Sequence, residues 1–72
     1  MQIISLYLVF DSNQQLVMMC SDLGYIKDEL NDKRDYYAGD FQIRYIEFVS
    51  GDILDKNSML KNSILIDTRH NI

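Results

Sequence analysis

Side chains that could do nucleophilic, acid–base or metal chemistry are scarce in this chain of 72 residues. His70 is the single histidine and Cys20 the single cysteine, and they lie in unrelated segments. A general base needs a positioned partner, and a reactive thiol needs a base or cationic surroundings. No motif supplies either, so we expect a solvated histidine and an inert, buried thiol. One cysteine and one histidine are also too few for a zinc site, and we predict a non-enzymatic protein without metal or cofactor.

Eleven carboxylates give the chain its acidic character. Asp28, Asp32 and Asp35 recur at spacings of four and three residues, which places them on one face of a helix. Such a cluster could bind a cation or imitate the phosphates of a nucleic acid. Basic residues are interleaved with it, which favours a solvated helix face instead. The three glycines are isolated, so the chain has no phosphate-binding or dinucleotide-binding loop.

The five tyrosines are the stronger functional signal. Tyrosine offers a large rigid contact area with a polar tip and is enriched at protein interfaces, although simple packing at the edge of the core is the plain alternative. Stacked aromatics could also bind RNA, but that use requires nearby basic charge, and the third predicted strand offers only Arg44. The candidate contact residues are Tyr25, Asp28, Asp32, Asp35 and Tyr36 on the outer side of the helix, with Tyr7 and Val9 on the open sheet face as the rival site.

The net charge of −4 and the isoelectric point near 4.6 restrict the partners further. Nonspecific binding to nucleic acid or to anionic membranes depends on clustered lysine and arginine. The chain has no apolar run of membrane-spanning length, and its N-terminus lacks the basic segment of a signal peptide. We therefore expect a cytoplasmic protein with no membrane contact and no direct nucleic-acid contact.

The elements that would position these side chains follow from a hydrophobic pattern whose period changes along the chain. Alternating or continuous apolar runs are typical of strands, and apolar residues at helical spacing indicate a helix with Ser21 as its N-cap. Leu23, Ile26, Leu30 and Tyr37 form the stripe that faces the sheet, and Gly39 ends the helix. The pattern predicts strands at 3–10, 16–20, 41–49 and 64–66 and a helix at 22–37.

Several finer features are predicted at the element boundaries. Polar residues 11–15 make an antiparallel hairpin of the first two strands. The third strand loses its alternation near Tyr45 and Ile46, which favours a bulge there. A short helical turn capped by Asn57 or Ser58 is expected before the fourth strand, and the tail from about residue 68 is expected to be loose.

The predicted fold is a single α+β domain over residues 1–72, with a three- or four-stranded, mainly antiparallel sheet and one helix on one face. A chain of this length buries only about 60% of its unfolded surface, so it is marginal by itself. The first two strands are apolar on both faces, and one helix cannot cover both. The uncovered face predicts burial against a partner protein or a second copy, that is, a homo-oligomer such as a dimer.

The order YLVFDSNQQLVMMCS, an acidic helix and then FQIRYIEF resembles the layout of very small phage and prophage proteins of mostly unassigned activity. The matching segments are 7–21 and 43–48, and the chain departs from that type at Gly24 and in the segment after Gly51. The resemblance implies a phage-encoded accessory protein and transfers no functional residues. We predict a protein-interaction module that inhibits a host protein by occlusion, for host takeover or anti-defence. Alternatives are an acidic phosphate-mimicking inhibitor of a nucleic-acid-binding protein, a small enzyme, or a nucleic-acid-binding subunit.

Overall fold

Four antiparallel strands and two helices make up the fold in the computed structural model, which describes residues 2–52 and 55–72. The sheet has the strand order β2-β1-β3-β4, so β1 and β3 are central. This confirms the α+β class and the antiparallel sheet, with a second helix of seven residues where the sequence predicts a short helical turn. In chain order the elements are β1 Ile3–Asp11, β2 Leu16–Cys20, α1 Leu23–Asp32, β3 Gly39–Val49, α2 Lys56–Asn62 and β4 Ile64–Asn71.

Strand β1 is buried on both of its faces. Leu8, Val9 and Phe10 are consecutive and at most 1% exposed. Successive side chains of a strand point to opposite faces, so the sheet has a core on each side. The α1-face cluster consists of Val9, Ile26, Leu30, Phe41 and Ile43. The α2-face cluster consists of Leu8, Phe10 and Ile46, against which Met59 and Leu60 of α2 pack. Each fully buried side chain of this kind contributes about 1.5–3 kcal/mol.

The hairpin between β1 and β2 confirms the prediction for residues 3–20. Asp11 closes its turn, because its Oδ1 accepts hydrogen bonds from the amides of Asn13 and Gln15, both at 2.9 Å. Gln14 adopts a φ of 59°, the left-handed conformation that such turns require. The strand pairing slips between Val9 and Phe10, so a bulge lies close to the turn.

Helix α1 is shorter than predicted and has a different cap. Asp22, rather than Ser21, is the N-cap, because its Oδ1 accepts from the amides of Gly24 and Tyr25. The helix ends at Asp32, and the chain then turns through Lys33, whose carbonyl accepts from the amides of the next two tyrosines. Gly39 does not end the helix as predicted; it begins β3 with a φ of +99°.

The predicted helical stripe does face the sheet. Ile26 and Leu30 are completely buried, and Leu23 and Tyr37 are half-buried against the same α1-face cluster. Tyr37 does so from outside the helix, with its ring 6.0 Å from that of Phe41. Apolar spacing therefore predicted the contacts correctly even where the helix itself stops early.

The C-terminal tail is ordered, which corrects the prediction of a loose end from residue 68. β4 continues to Asn71, which is only 4% exposed. Its Nδ2 donates to the carbonyls of Leu30 at 2.9 Å and Tyr37 at 2.7 Å, and its Oδ1 accepts from Nε of Arg69. Asn71 therefore ties the last strand to the end of α1. The sequence did not reveal this because residues 67–71 are polar and lack an apolar alternation.

The bulge in the sheet lies on β4 and not at Tyr45–Ile46. The β3–β4 pairing steps from Ile43 opposite Asp67 to Arg44 opposite Leu65, which leaves Ile66 as the extra residue. The β1–β3 pairing is regular along its whole length. The alternation is lost at Tyr45 and Ile46 because both faces of the sheet are apolar here. Tyr45 lies beside Tyr7 on one face, and Ile46 lies beside Leu6 on the other.

The segment before β4 forms α2, a helix on the face opposite to α1. Its N-cap is Asp55, rather than Asn57 or Ser58, and Oδ1 of Asp55 accepts from the amide of Ser58 at 2.8 Å. Arg44 holds the other end: its guanidinium donates to Oγ of Ser63 at 2.7 Å and to the carbonyls of Ser63 and Leu60. A cation at a helix C-terminus is electrostatically favourable. Within the described residues, neither helix is long and apolar enough to cross a membrane.

Replacing Asn71 by alanine is expected to destabilise the fold by about 1–3 kcal/mol, because the Leu30 and Tyr37 carbonyls lose their donor. Urea unfolding followed by circular dichroism measures the change. Removal of the fully exposed Ile72 is the matched control and should change the stability by less than about 0.5 kcal/mol. Equal stability of Asn71→Ala and the unaltered chain would support the loose tail that the sequence predicts.

Arg44→Met keeps the aliphatic stem of the side chain and removes its donors to α2. The amide protons of α2 should then exchange with solvent faster, while those of the central β1–β3 pairing change little. Hydrogen exchange followed by nuclear magnetic resonance measures both. Lys61→Met, on the exposed side of the same helix, is the control and should leave α2 unchanged. Unaltered exchange in Arg44→Met would mean that apolar contacts alone hold α2.

Acid should loosen the start of α2. Hydrogen bonds from the Ser58 amide and hydroxyl lower the pKa of Asp55 below its ordinary value of 3.8. A lowered pKa in the folded state means that the ionised cap stabilises α2 fully above the unfolded value and loses this effect as the pH falls through the lowered one. The α2 amide shifts should therefore titrate below about pH 4. Asp55→Asn retains a cap that cannot titrate, and a titration persisting in that variant would assign it to another group.

Candidate protein-interaction surface

The two helices cover opposite halves of opposite sheet faces. α1 starts three residues after Cys20, which lies opposite Tyr7, and its end is bonded to Asn71, which lies opposite Gly39. It therefore covers the half of one face between those two rows of residues. α2 connects the far end of β3 to the start of β4, and it packs on the other face. Each face consequently keeps one uncovered half.

The uncovered half of the α2 face is polar on β3 and β4, although Met19 and Leu65, opposite Leu8 and Arg44, are exposed beside it. Asp40 lies opposite His70, and Gln42 lies opposite Thr68. Nδ1 of His70 and Oδ1 of Asp40 are 2.5 Å apart, and Gln42 accepts a hydrogen bond from Arg44. Polar side chains that bond to one another and to water need no further covering.

The uncovered half of the α1 face is apolar, and we call it the tyrosine patch. Strand alternation and the regular β1–β3 register place its residues on one surface. Ile3 is 64% exposed and Ile64 is 66% exposed, at two corners of this surface. The tyrosine patch comprises Ile3, Ser5 and Tyr7 of β1, Tyr45, Glu47 and Val49 of β3, and Ile64 of β4.

Two tyrosines form the row of the patch that borders the half covered by α1. Tyr7 and Tyr45 are direct cross-strand partners, with ring centroids 5.2 Å apart and ring planes inclined by 50°. The Tyr45 hydroxyl donates to Oε1 of Glu47 at 2.8 Å. Ser5 acts to lower the pKa of Tyr45, but the acceptor Glu47 and partial burial outweigh it, so the pKa is raised above the ordinary 10.0. The hydroxyl therefore stays protonated and is oriented toward Glu47.

The predicted helix site is divided by the end of α1. Tyr25, Asp28 and Asp32 are exposed and share one side of the helix. Asp35 and Tyr36 follow the helix and do not continue that line. Tyr36 is 80% exposed, and its ring packs edge-on against Tyr37 at 4.8 Å. The structure thus brings three of the five residues together and separates the other two from them.

The structure separates the two residues of the rival sheet site. Tyr7 is half-buried and lines the tyrosine patch. Val9 shares its face but is completely buried beneath α1, so the prediction of Val9 as a contact residue is wrong. The sequence shows that both residues lie on one face, but it does not show where along that face the helix stops.

Sequence reasoning missed most of the patch. Ile3, Tyr45, Glu47, Val49 and Ile64 come from three strands, and only the strand pairing brings them together. The alternation Tyr45-x-Glu47-x-Val49 was the available signal. It assigns these side chains to one face and leaves open whether a helix covers them.

The residues of potential chemical interest lie elsewhere. His70 is exposed, as predicted for a solvated histidine, although it lies in β4. With Asp40 and Asp11 it lines an open depression of about 340 Å³. Cys20 is half-buried against the α1-face cluster, and its sulfur accepts from the Asp22 amide at 3.3 Å. Across residues 2–52 and 55–72, no three His, Cys, Asp or Glu side chains come close enough to hold a metal ion.

Comparison with known proteins adds no relative to these observations. The chain matches no protein-family model, no curated protein and no solved structure. Its function is therefore inferred from its own surface, on which the tyrosine patch and the outer side of α1 are the two candidate sites.

Proposed function

We propose that this chain is a non-enzymatic protein-interaction module, and that the tyrosine patch is its binding surface. The observation that carries the proposal is the difference between the two uncovered half-faces. One carries mainly Asp40, Gln42, Thr68 and His70, as expected for a surface that faces water, with exposed Met19 and Leu65 at its border. The other carries mainly isoleucine, tyrosine and valine around the polar pair of Ser5 and Glu47.

Exposed apolar surface of this kind supports a protein partner. Contiguous exposed apolar residues on a small protein are typical of interaction sites, and tyrosine is enriched at interface centres. Tyr7 and Tyr45 are held by strand pairing and by ring contact, so little side-chain freedom is lost when a partner covers them. Ser5 and Glu47 form the middle row of the patch and supply polar groups between its two apolar rows, where a partner must satisfy them.

The resemblance in layout to small phage and prophage proteins supports a host protein as the partner. A chain of 72 residues with one binding surface would act by occlusion: it covers a surface that the host protein uses elsewhere. We propose that it is phage-encoded and acts in the host cytoplasm, in host takeover or anti-defence. Its net charge of −4 favours a protein partner over nucleic acid or an anionic membrane.

A second candidate is the outer side of α1. The alignment of Tyr25, Asp28 and Asp32 on one exposed side favours it. Two carboxylates one turn apart resemble neighbouring phosphates and could occupy the site of a nucleic-acid-binding protein. Glu29 does not add to this acidic group, because it is paired with Lys33 at 3.0 Å.

A second copy of the chain, giving a dimer, is the alternative occupant of the tyrosine patch. The sequence favours a dimer because two apolar sheet faces share one helix, and the structure weakens that reason. α2 covers half of the second face through Met59 and Leu60. The tyrosine patch is the remaining apolar half-face, so a second copy would have to bind there.

The test compares two sets of surface variants in affinity capture from a candidate host lysate. Ile3→Lys with Ile64→Lys should abolish capture of the partner, because both side chains are about two-thirds exposed and neither supports the core. Asp28→Lys with Asp32→Lys and Tyr36→Ala is the matched set on the α1 side and should retain capture. Both sets should remain folded, since exposed substitutions change stability by only about 0.5 kcal/mol each.

Mass spectrometry of the captured proteins and binding of the purified pair measure the outcome. Loss of binding in the α1 set alone would transfer the site to the helix. Full binding by both folded sets would reject both candidate surfaces.

A further inference from the structure

The dimensions of the tyrosine patch restrict what can cover it. The patch spans three strands about 4.8 Å apart and five residues of β1 at about 3.4 Å each, so it measures roughly 10 by 14 Å between backbone positions. One α-helix is about 10–12 Å wide, and ten of its residues are about 15 Å long. α1 covers the adjacent half of the same face with ten residues. One further helix of similar length therefore fits the patch.

A second copy of the chain fits the patch less well. Two facing patches of roughly 10 by 14 Å fall well short of the about 1,200 Å² that a stable specific dimer buries, whereas a docked helix can bind transiently through a smaller area. Each copy also brings Glu47 to the interface, so two like charges would meet in a small apolar contact.

An extended peptide that adds a strand to a sheet edge also fits the structure less well than a helix on the patch. The exposed edge of β4 is interrupted by its bulge at Ile66. Beyond the bulge, Oδ1 of Asp67 accepts from the amide of Thr68 at 2.8 Å and occupies a group that an added strand would need. The other edge strand, β2, has only five residues and a register shift. Among the described pairings, β1 lacks a β2 partner at 3–6 and β3 lacks a β4 partner at 46–49, and each of these free edges is only four residues long.

Charge indicates the chemistry of the covering helix. Glu47 is the one charged side chain among the seven residues of the tyrosine patch, and Asp67, opposite Ile43, lies next to the patch on the same face. Its Oε1 accepts from Tyr45, and it forms no ion pair with the described residues. A lysine or arginine facing Glu47 would balance this carboxylate as the patch is desolvated.

From the size of the patch, its short or interrupted strand edges and this charge, we infer that the partner binds through a basic amphipathic helix that lies beside α1 on the tyrosine patch. Apolar side chains at positions i, i+3, i+4 and i+7 contact Ile3, Tyr7 and Ile64, and a basic side chain contacts Glu47. This inference rests on the proposed function and specifies the class of partner segment that the patch takes.

Three synthetic 14-residue peptides serve as probes. One has leucine and lysine at helical spacing, the second has the same composition with strict alternation, and the third has leucine and glutamate at helical spacing. Chemical-shift mapping and fluorescence titration measure the site and the affinity. The first peptide should shift the resonances of Ile3, Tyr7, Tyr45 and Ile64, and it should bind at least about tenfold more tightly than either of the others.

Two variants that each remove one negative charge separate the contact at Glu47 from the effect of the net negative charge of the chain. Glu47→Gln should reduce the preference for lysine over glutamate peptides severalfold. Asp40→Asn, on the opposite face of the sheet, should leave it unchanged. Equal effects of the two variants would assign the preference to net charge and overturn the Glu47 contact.

Other outcomes also contradict the inference. Equal or tighter binding of the alternating peptide would indicate strand addition, and shifts outside the patch would indicate another site. Light scattering that gives a dimer, together with a monomeric Ile3→Lys, Ile64→Lys variant, would make a second copy the occupant. If no peptide binds the patch but the captured host protein still requires it, the helix inference fails while the proposed function stands.

Discussion

The burial of β1 on both of its faces is the constraint on which the rest of the structure depends. Leu8, Val9 and Phe10 are consecutive, so their side chains point alternately to opposite sides of the sheet and each side needs a cover. A chain of 72 residues has little material for two layers. It supplies ten helical residues to one face and seven to the other, and each helix covers about half a face.

Two polar side chains from the sheet determine where those short helices lie. Asn71 bonds the carbonyl of Leu30 near the end of α1, and Arg44 bonds the carbonyls of Leu60 and Ser63 at the end of α2. Helix C-termini leave carbonyls without partners, and a strand side chain that satisfies them also sets the position of the helix. The same bonds therefore decide which half of each face stays open. The candidate binding surface is a consequence of how the helices are held.

Local signals predicted local features well. The Asp11 turn, the strands at 16–20 and near 41–49, and the contacts of Ile26 and Leu30 all follow from turn chemistry and apolar period. Predictions failed where a distant residue supplies the partner. Polar residues 68–71 resemble a tail in sequence, yet they pair with β3 and one of them is buried at the end of α1. Val9 is predicted from the sequence to lie on the open sheet face, but α1 covers it in the structure.

The amino-acid sequence by itself determined the α+β class, the hairpin, the inward stripe of α1, the scarcity of histidine and cysteine, and the excess of apolar residues over what one helix can cover. It also indicated tyrosine as the residue type of interest. Only the tertiary structure decided which tyrosines meet, because Tyr7 and Tyr45 become neighbours through the β1–β3 register. It likewise decided that Val9 is hidden and that Ile3 and Ile64 stay exposed. The hydrophobic period and the composition of the sequence describe one helix or strand at a time. Which half of a sheet face stays open depends on where the two helices end on the sheet that they share.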